Sequence, residues 1–167
     1  MKAIKLTAIS VVIAATLCAT AQGAPSDEAQ IRALESRFTA AFNAKDVDDI
    51  MRVYVPDDSL VVFDVVPPRQ YVGAEAYRKD WEGLMTQLMG PVKFEITDLH
   101  VFAAGSLGYG HSIQHVQGTN TKNQPIDLTV RVTDVYRKIK GDWLIVHEHV
   151  SVPVDLDTDK PDLSSKP

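Results

Sequence analysis

Residues 126–154 read IDLTVRVTDVYRKIKGDWLIVHEHVSVPV, two runs rich in β-branched and apolar residues that meet at Lys140-Gly141. In a strand alternate side chains share a face. Ile126, Leu128, Val130, Val132, Asp134 and Tyr136 therefore form one face of the first run, and Asp127, Thr129, Arg131, Thr133, Val135 and Arg137 the other. The first face is apolar enough to be buried, and Asp134 is its anomaly. A carboxylate in such a stripe must be paired, protonated or open to a wet cavity, because an unpaired buried charge is very costly. With Lys140-Gly141 as a two-residue turn and Ile139 opposite Asp142, the register puts Asp134 opposite His147 and Val132 opposite His149. Trp143 and Ile145 then also point inward. A shift of one residue would turn both histidines out.

Working back toward the N-terminus, VKFEITDLHVFA and SLGYGHSIQHVQ are two more strand candidates. His111 and His115 lie an even step apart and so share a face, which the pattern leaves open between a pocket wall and solvent; Tyr109 and Ile113 on the same side favour the wall. Earlier still, SDEAQIRALESRFTAAFNAKD carries Ser26 as an N-cap, acids in the first turn, and Ile31, Leu34, Phe38, Ala41 and Phe42 at helical spacing. DVDDIMRVY is a second, short helix stopped by Pro56, SLVVFDVV a strand, and GAEAYRKDWEGLMTQL a third helix ended by Gly90-Pro91. Helices first and strands afterwards predict an α+β fold, with the helices on one face of a curved antiparallel sheet.

The first 23 residues have two lysines, an apolar stretch from Ala8 to Leu17 and small residues at Ala19, Ala21 and Gly23. This is a secretory signal pattern, with a mature start expected between Gln22 and Ser26 and a periplasmic or secreted location. Cys18, the single cysteine, lies within it. Removal of Lys2 and Lys5 leaves 15 basic against 22 acidic residues, a formal charge of −7. With no basic run, nucleic acid is excluded as a natural partner, as is a membrane once the signal is gone. About 145 residues suffice for one core, expected over 24–155, and the acidic, Pro-containing 156–167 reads as a disordered tail.

Three segments, FTAAFNAKDVDDIMRVYVPDD (38–58), FDVVPPRQYVGAEAYRKDW (63–81) and TDVYRKIKGDWLIVHEHVSVP (133–153), in that order and spacing, resemble the nuclear transport factor 2-like (SnoaL-like) superfamily and, within it, ketosteroid isomerase homologues. The resemblance implies a cone-shaped α+β barrel of the cystatin-like kind, one pocket between helices and sheet, and a homodimer. It implies a general base at Asp64, nine residues before Gly73, and a second, protonated acid at Asp134 or its neighbour Thr133. The family's tyrosine on the first helix is replaced here by Phe38, which leaves an oxyanion hole one donor short; such a loss commonly costs about two to three orders of magnitude in rate. Tyr54 is the first candidate to stand in for it. His147 and His149 would supply acid, base or orienting groups, as in scytalone dehydratase relatives, which the chain resembles through YRKIKGDW.

The expected catalytic set is therefore Asp64, Asp134, His147 and His149, with Tyr54, Trp81, His111 and His115 lining the binding pocket. Arg131 belongs to the opposite face, where Glu148 is its natural surface partner. The histidines, with Asp64 or Asp134, have the donor types for zinc, yet no His-Glu-x-x-His helix or cysteine pair accompanies them, so neither metal nor other cofactor is expected. Two functions fit this pattern. One is an exported pocket protein performing isomerase- or dehydratase-type proton transfer on a small apolar or aromatic molecule. The other is a non-catalytic ligand-binding or dimerisation module of the same fold.

Overall fold

The computed structural model describes residues 24–163; residues 1–23, where a secretory signal is expected, and residues 164–167 lie outside the described residues. Helix α1 (Asp27–Ala44) starts where Ser26 Oγ accepts the Ala29 N–H at 3.2 Å and stops at Lys45, whose left-handed backbone turns the chain. Asp46 caps α2 (Val47–Met51) in the same way. After β1 (Val61–Phe63) and β2 (Tyr71–Val72), Gly73 at φ +87° opens α3 (Ala74–Gln87). A side chain at Gly73 would also meet Asp58 Oδ1 at 3.0 Å, so both backbone and space call for glycine.

Four long strands follow: β3 (Leu88–Ala104), β4 (Leu107–Asn120), β5 (Pro125–Ile139) and β6 (Asp142–Ser151). Strand β3 begins directly after α3, so Gly90-Pro91 sits inside the strand at a register shift instead of ending the helix. The six strands lie in the order β2-β1-β6-β5-β4-β3. This curved sheet is antiparallel except between β1 and β6, which run parallel. The expected disordered tail is folded as far as Leu163. Strands β7 (Val154–Asp155) and β8 (Lys160–Pro161) pair with each other, and the Thr129 N–H donates to the Leu163 carbonyl at 2.7 Å. Among the described residues no helix is long and apolar enough to cross a membrane.

The core lies between α1, α3 and the inner face of the sheet. Phe38 and Phe42 of α1 meet Phe94 of β3 and Trp81 of α3 ring to ring, at centroid distances from 4.3 to 5.7 Å. Burying a side chain of this size contributes roughly 1.5–3 kcal/mol, so this aromatic cluster is what holds the helices on the sheet.

The β5–β6 ladder starts in the expected register: Ile139 faces Asp142, Lys138 faces Trp143 and Tyr136 faces Ile145. It then shifts by one. Val135 pairs with His147, Asp134 with Glu148 and Thr133 with His149, which leaves Val146 as an extra residue on β6. Such a bulge reverses the facing of everything beyond it. Trp143 and Ile145 point inward as predicted, and so does Asp134, but its inward neighbour is Glu148. His147 and His149 lie on the outer face.

Candidate functional site

A cavity of about 470 Å³ opens between α1, α3 and the inner face of the sheet. Its walls are mostly apolar: Phe38, Phe42, Trp81, Leu84, Leu88 and Phe94 on one side, Val116, Ile126, Leu128, Val130 and Val150 on the other. Asp64, Tyr77, Gln114 and Glu148 bring polar groups to this surface, and Lys79, Asp80 and Gln87 of α3 add to them.

Glu148 is buried, and its carboxylate is gripped from two elements. Tyr77 OH, from α3, donates to Oε1 at 2.6 Å, and Tyr54 OH, from the segment after α2, donates to Oε2 at 2.9 Å. Tyr77 OH also lies 3.4 Å from Asp64 Oδ2, so one phenol bridges two carboxyl groups from β6 and the end of β1. Asp64 accepts the Val66 N–H at 3.3 Å through its other oxygen.

Behind Glu148, away from the cavity, stand Asp134 and Tyr136 of β5 and Glu35 of α1, all buried. Tyr136 OH donates to Glu35 Oε1 at 2.7 Å and lies 3.5 Å from Asp134 Oδ2. Asp134 Oδ1 is buried with no donor among the described residues.

Among the described residues no lysine, arginine or histidine pairs with Glu35, Asp134 or Glu148. Burial without a compensating cation favours the neutral acid. It pushes Glu148 up to about 7 against the lowering pull of its two phenol hydrogen bonds, and Glu35 up to about 7 against that of Tyr136. Asp134 is raised well above the carboxylate range, first by burial and then by the charges of Glu148 and Glu35. Asp64, less deeply placed, is raised by burial too, while the Val66 and Val65 N–H groups and Tyr77 pull it back. Tyr54 and Tyr77 are held well above the phenol range by burial and by the Glu148 charge, so both remain donors. Acids of differing proton affinity, linked by phenols and facing an apolar chamber, can give and take protons near neutral pH.

Of the residues expected from the sequence, Asp64 and Trp81 line the cavity, Tyr54 reaches Glu148 from behind, and Asp134 lies one residue deeper than anticipated. All four histidines of that set lie on the outer face instead. His147 Nδ1 bonds the Val61 carbonyl at 2.8 Å, and both its ring and that of the exposed His149 flank Phe63. His111 stacks on His100, and His115 sits between Glu95 and Asp127, at 3.4 and 2.6 Å. The inner face of β4 belongs instead to Gly108, Gly110, Ser112 and Gln114. The Arg131–Glu148 surface pair does not form, since Glu148 is inside. No group of three His, Cys, Asp or Glu side chains suited to a metal ion occurs among the described residues.

The sequence reading missed Glu35, Glu148 and Tyr136 as site residues. Glu35 had a legible signal: it stands four residues after Ile31 and three before Phe38, on the buried stripe of its own helix.

A family model for the SnoaL-like domain matches residues 31–155. An NTF2-like protein of unknown function from Pseudomonas putida KT2440 is similar to this chain at 34% identity and a TM-score of 0.75, covering 84% of this chain and 96% of its own. An NTF2-like superfamily protein from Salmonella enterica serovar Typhimurium shares the fold at 16% identity and TM-score 0.68, over 77% of this chain and 92% of its own. A ketosteroid isomerase-like protein from Erwinia carotovora atroseptica does so at 19% identity and TM-score 0.63, over 74% and 94%. Curated proteins gave no significant match.

Proposed function

This chain belongs to the SnoaL-like domain family, and we propose that it is an exported acid/base enzyme acting on a small, uncharged, apolar or aromatic molecule. The observation that carries the proposal is the Tyr77 hydroxyl, placed 2.6 Å from Glu148 and 3.4 Å from Asp64 at the wall of an apolar cavity. Asp64 is the base: it is the more accessible of the two acids, and backbone N–H groups favour its charge. Glu148, protonated over much of the neutral range, and Tyr77 donate toward oxygen. Asp64 removes a proton from a carbon whose neighbouring carbonyl takes up the charge. Return of that proton at another carbon gives isomerisation, and loss of a hydroxyl assisted by Glu148 gives dehydration. The cavity wall supports the substrate class, since aromatic and aliphatic side chains around three acids, Asp64, Asp80 and Glu148, with Lys79 as the one cation among the lining residues described, disfavour an anionic ligand.

Export is supported by the pattern of residues 1–23. Self-association is part of the same reading, supported by Phe63, Phe102 and Tyr109 exposed on the outer face of the sheet; sedimentation velocity tests it.

The catalytic reading is tested by deuterium uptake from D2O into cyclic and aryl ketones such as 2-tetralone, followed by mass spectrometry. The wild-type chain is expected to accelerate uptake, and Asp64→Asn to reduce it by about 100-fold or more while ketone binding persists. Binding without any acceleration by the wild type would leave a ligand-binding module and remove the enzyme.

A further inference from the structure

The acid cluster has two ends. At one end Glu148 and Asp64 meet the main cavity. At the other, Glu35 forms part of a separate crevice of about 320 Å³ between α1 and β3, lined by Glu35, Ser36, Thr39, Glu95, Ile96 and Leu99. Between these ends the polar groups are continuous: Glu35 to Tyr136 OH at 2.7 Å, Tyr136 OH to Asp134 at 3.5 Å, Asp134 facing Glu148 across the β5–β6 ladder, and Glu148 to Tyr77 at 2.6 Å. The surroundings are apolar, with Ile31, Leu34, Phe38 and Ile145 buried in the same core. The titratable groups facing the chain are Glu35 from α1, Tyr54 from the segment after α2, Asp64 from the end of β1, Tyr77 from α3, Asp134 and Tyr136 from β5 and Glu148 from β6.

We propose that Glu35, Tyr136 and Asp134 form a proton relay between the α1–β3 crevice and the Glu148–Asp64 end of the main cavity. The relay serves the acid/base site proposed above and rests on that reading for its purpose. A bound apolar ligand displaces water from the main cavity, so the acids there lose their direct exchange with solvent. The back crevice restores it. For inward transfer, protonated Asp134 gives its proton to ionised Glu148, and Tyr136 then yields its own proton to the Asp134 carboxylate as protonated Glu35 replaces it on the Tyr136 oxygen. Each hop breaks one O–H bond and makes one, no phenolate accumulates, and the net change is one proton taken up at Glu35 and one delivered at Glu148. Burial keeps Asp134 in the acid form that can donate, and Glu148, its cross-strand neighbour, is the acceptor it faces.

Glu35, Tyr136 and Asp134 do not line the cavity, so all three are positioning residues, and their role can be read without turnover. Infrared spectroscopy of 13C-carboxyl-Asp-labelled full-length chain, mixed rapidly from H2O into D2O, follows conversion of the Asp134 COOH band to COOD. In a Glu148→Gln background the route through the main cavity is cut. There the relay predicts that Asp134 still exchanges, and that adding Glu35→Gln slows its exchange at least ten-fold. Tyr136→Phe, made separately in that background, is expected to slow it equally. A purely structural role for Glu35 predicts the opposite sign, because a loosened fold exchanges faster. Unchanged or faster exchange in Glu35→Gln, or the absence of a protonated Asp134 band at neutral pH, would overturn the relay. Because no ketone is present, failure of the enzyme reading would leave these outcomes intact.

Discussion

Asp134 and Glu148 stand directly opposite each other on β5 and β6, both buried and, among the described residues, with no cation paired to either. Two carboxyl groups so placed cannot both be ionised without a large penalty, and the pair therefore holds at least one proton through neutral pH. The cluster is a store of protons before it is anything else.

One consequence is an inverted dependence of stability on pH. Glu35 and Glu148 are raised from the ordinary 4.5 to about 7 in the folded chain. A raised folded value means that the native state binds more protons than the unfolded chain between about 4.5 and about 7. Their contribution is full below about 4.5 and fades as pH rises through about 7. The expected loss is on the order of 3 kcal/mol for each of the two, and Asp134, shifted the same way, extends it upward. Asp27, Asp57 and Glu95 are shifted down and act with opposite sign at lower pH, which sets the acid limit. Urea midpoints should be lower at pH 8 than at pH 5, and Glu35→Gln should flatten the difference; a midpoint rising from pH 5 to pH 8 would contradict the burial argument.

The outward placement of the histidines gives a second expectation. His149→Ala should change stability by less than about 0.5 kcal/mol. His147→Ala gives up the bond to the Val61 carbonyl and should cost about 1 kcal/mol. Neither should alter ketone binding or deuterium uptake, and a large loss of uptake in either variant would place an imidazole back in the chamber.

Gly110 supplies a third. It lies on the inner face of β4, where an added Cβ would sit 2.9 Å from Tyr136 OH and 3.1 Å from its ring. Gly110→Ala must push Tyr136 off Glu35 or displace the strand. The expected cost is about 1–3 kcal/mol in urea unfolding, and in the Glu148→Gln background it should slow Asp134 proton exchange as Tyr136→Phe does. Wild-type stability and exchange in this variant would mean that Tyr136 is not held where the bond to Glu35 requires.

Much of this architecture was legible in the sequence. Helical spacing marked α1 and α3, alternation marked β5 down to its buried Asp134, and Lys140-Gly141 marked the turn with its first pairs in register. The chamber's chemistry was not legible, for a local reason. WLIVHEHV gives no compositional cue to a bulge, because Val146 is an ordinary strand residue and fits either face. Glu148 between two histidines looked like the solvent side, whereas the hydrogen bonds that make its burial tolerable come from Tyr54 and Tyr77, 94 and 71 residues away in sequence. His111 and His115 misled in a similar way: the apolar neighbours Tyr109 and Ile113 suggested an inner wall, while the wall itself needed the small Gly108 and Gly110 to admit Tyr136 and Trp143.

The extra residue at Val146 also changes what kind of variation can alter this protein's chemistry. A strand normally keeps one parity, odd positions on one side and even on the other; β6 changes parity midway, with Trp143 and Ile145 inside before Val146 and Glu148 after it. Two sets of proton-handling groups are thus interleaved on a single strand, carboxylate on one parity and imidazole on the other. Which set the chamber displays depends on where one backbone residue is stored. Moving that residue would replace Glu148 by His147 and His149 on the inner side of β6, beside an unchanged Asp134, with no substitution at all, much as a shifted reading frame draws a different message from the same letters.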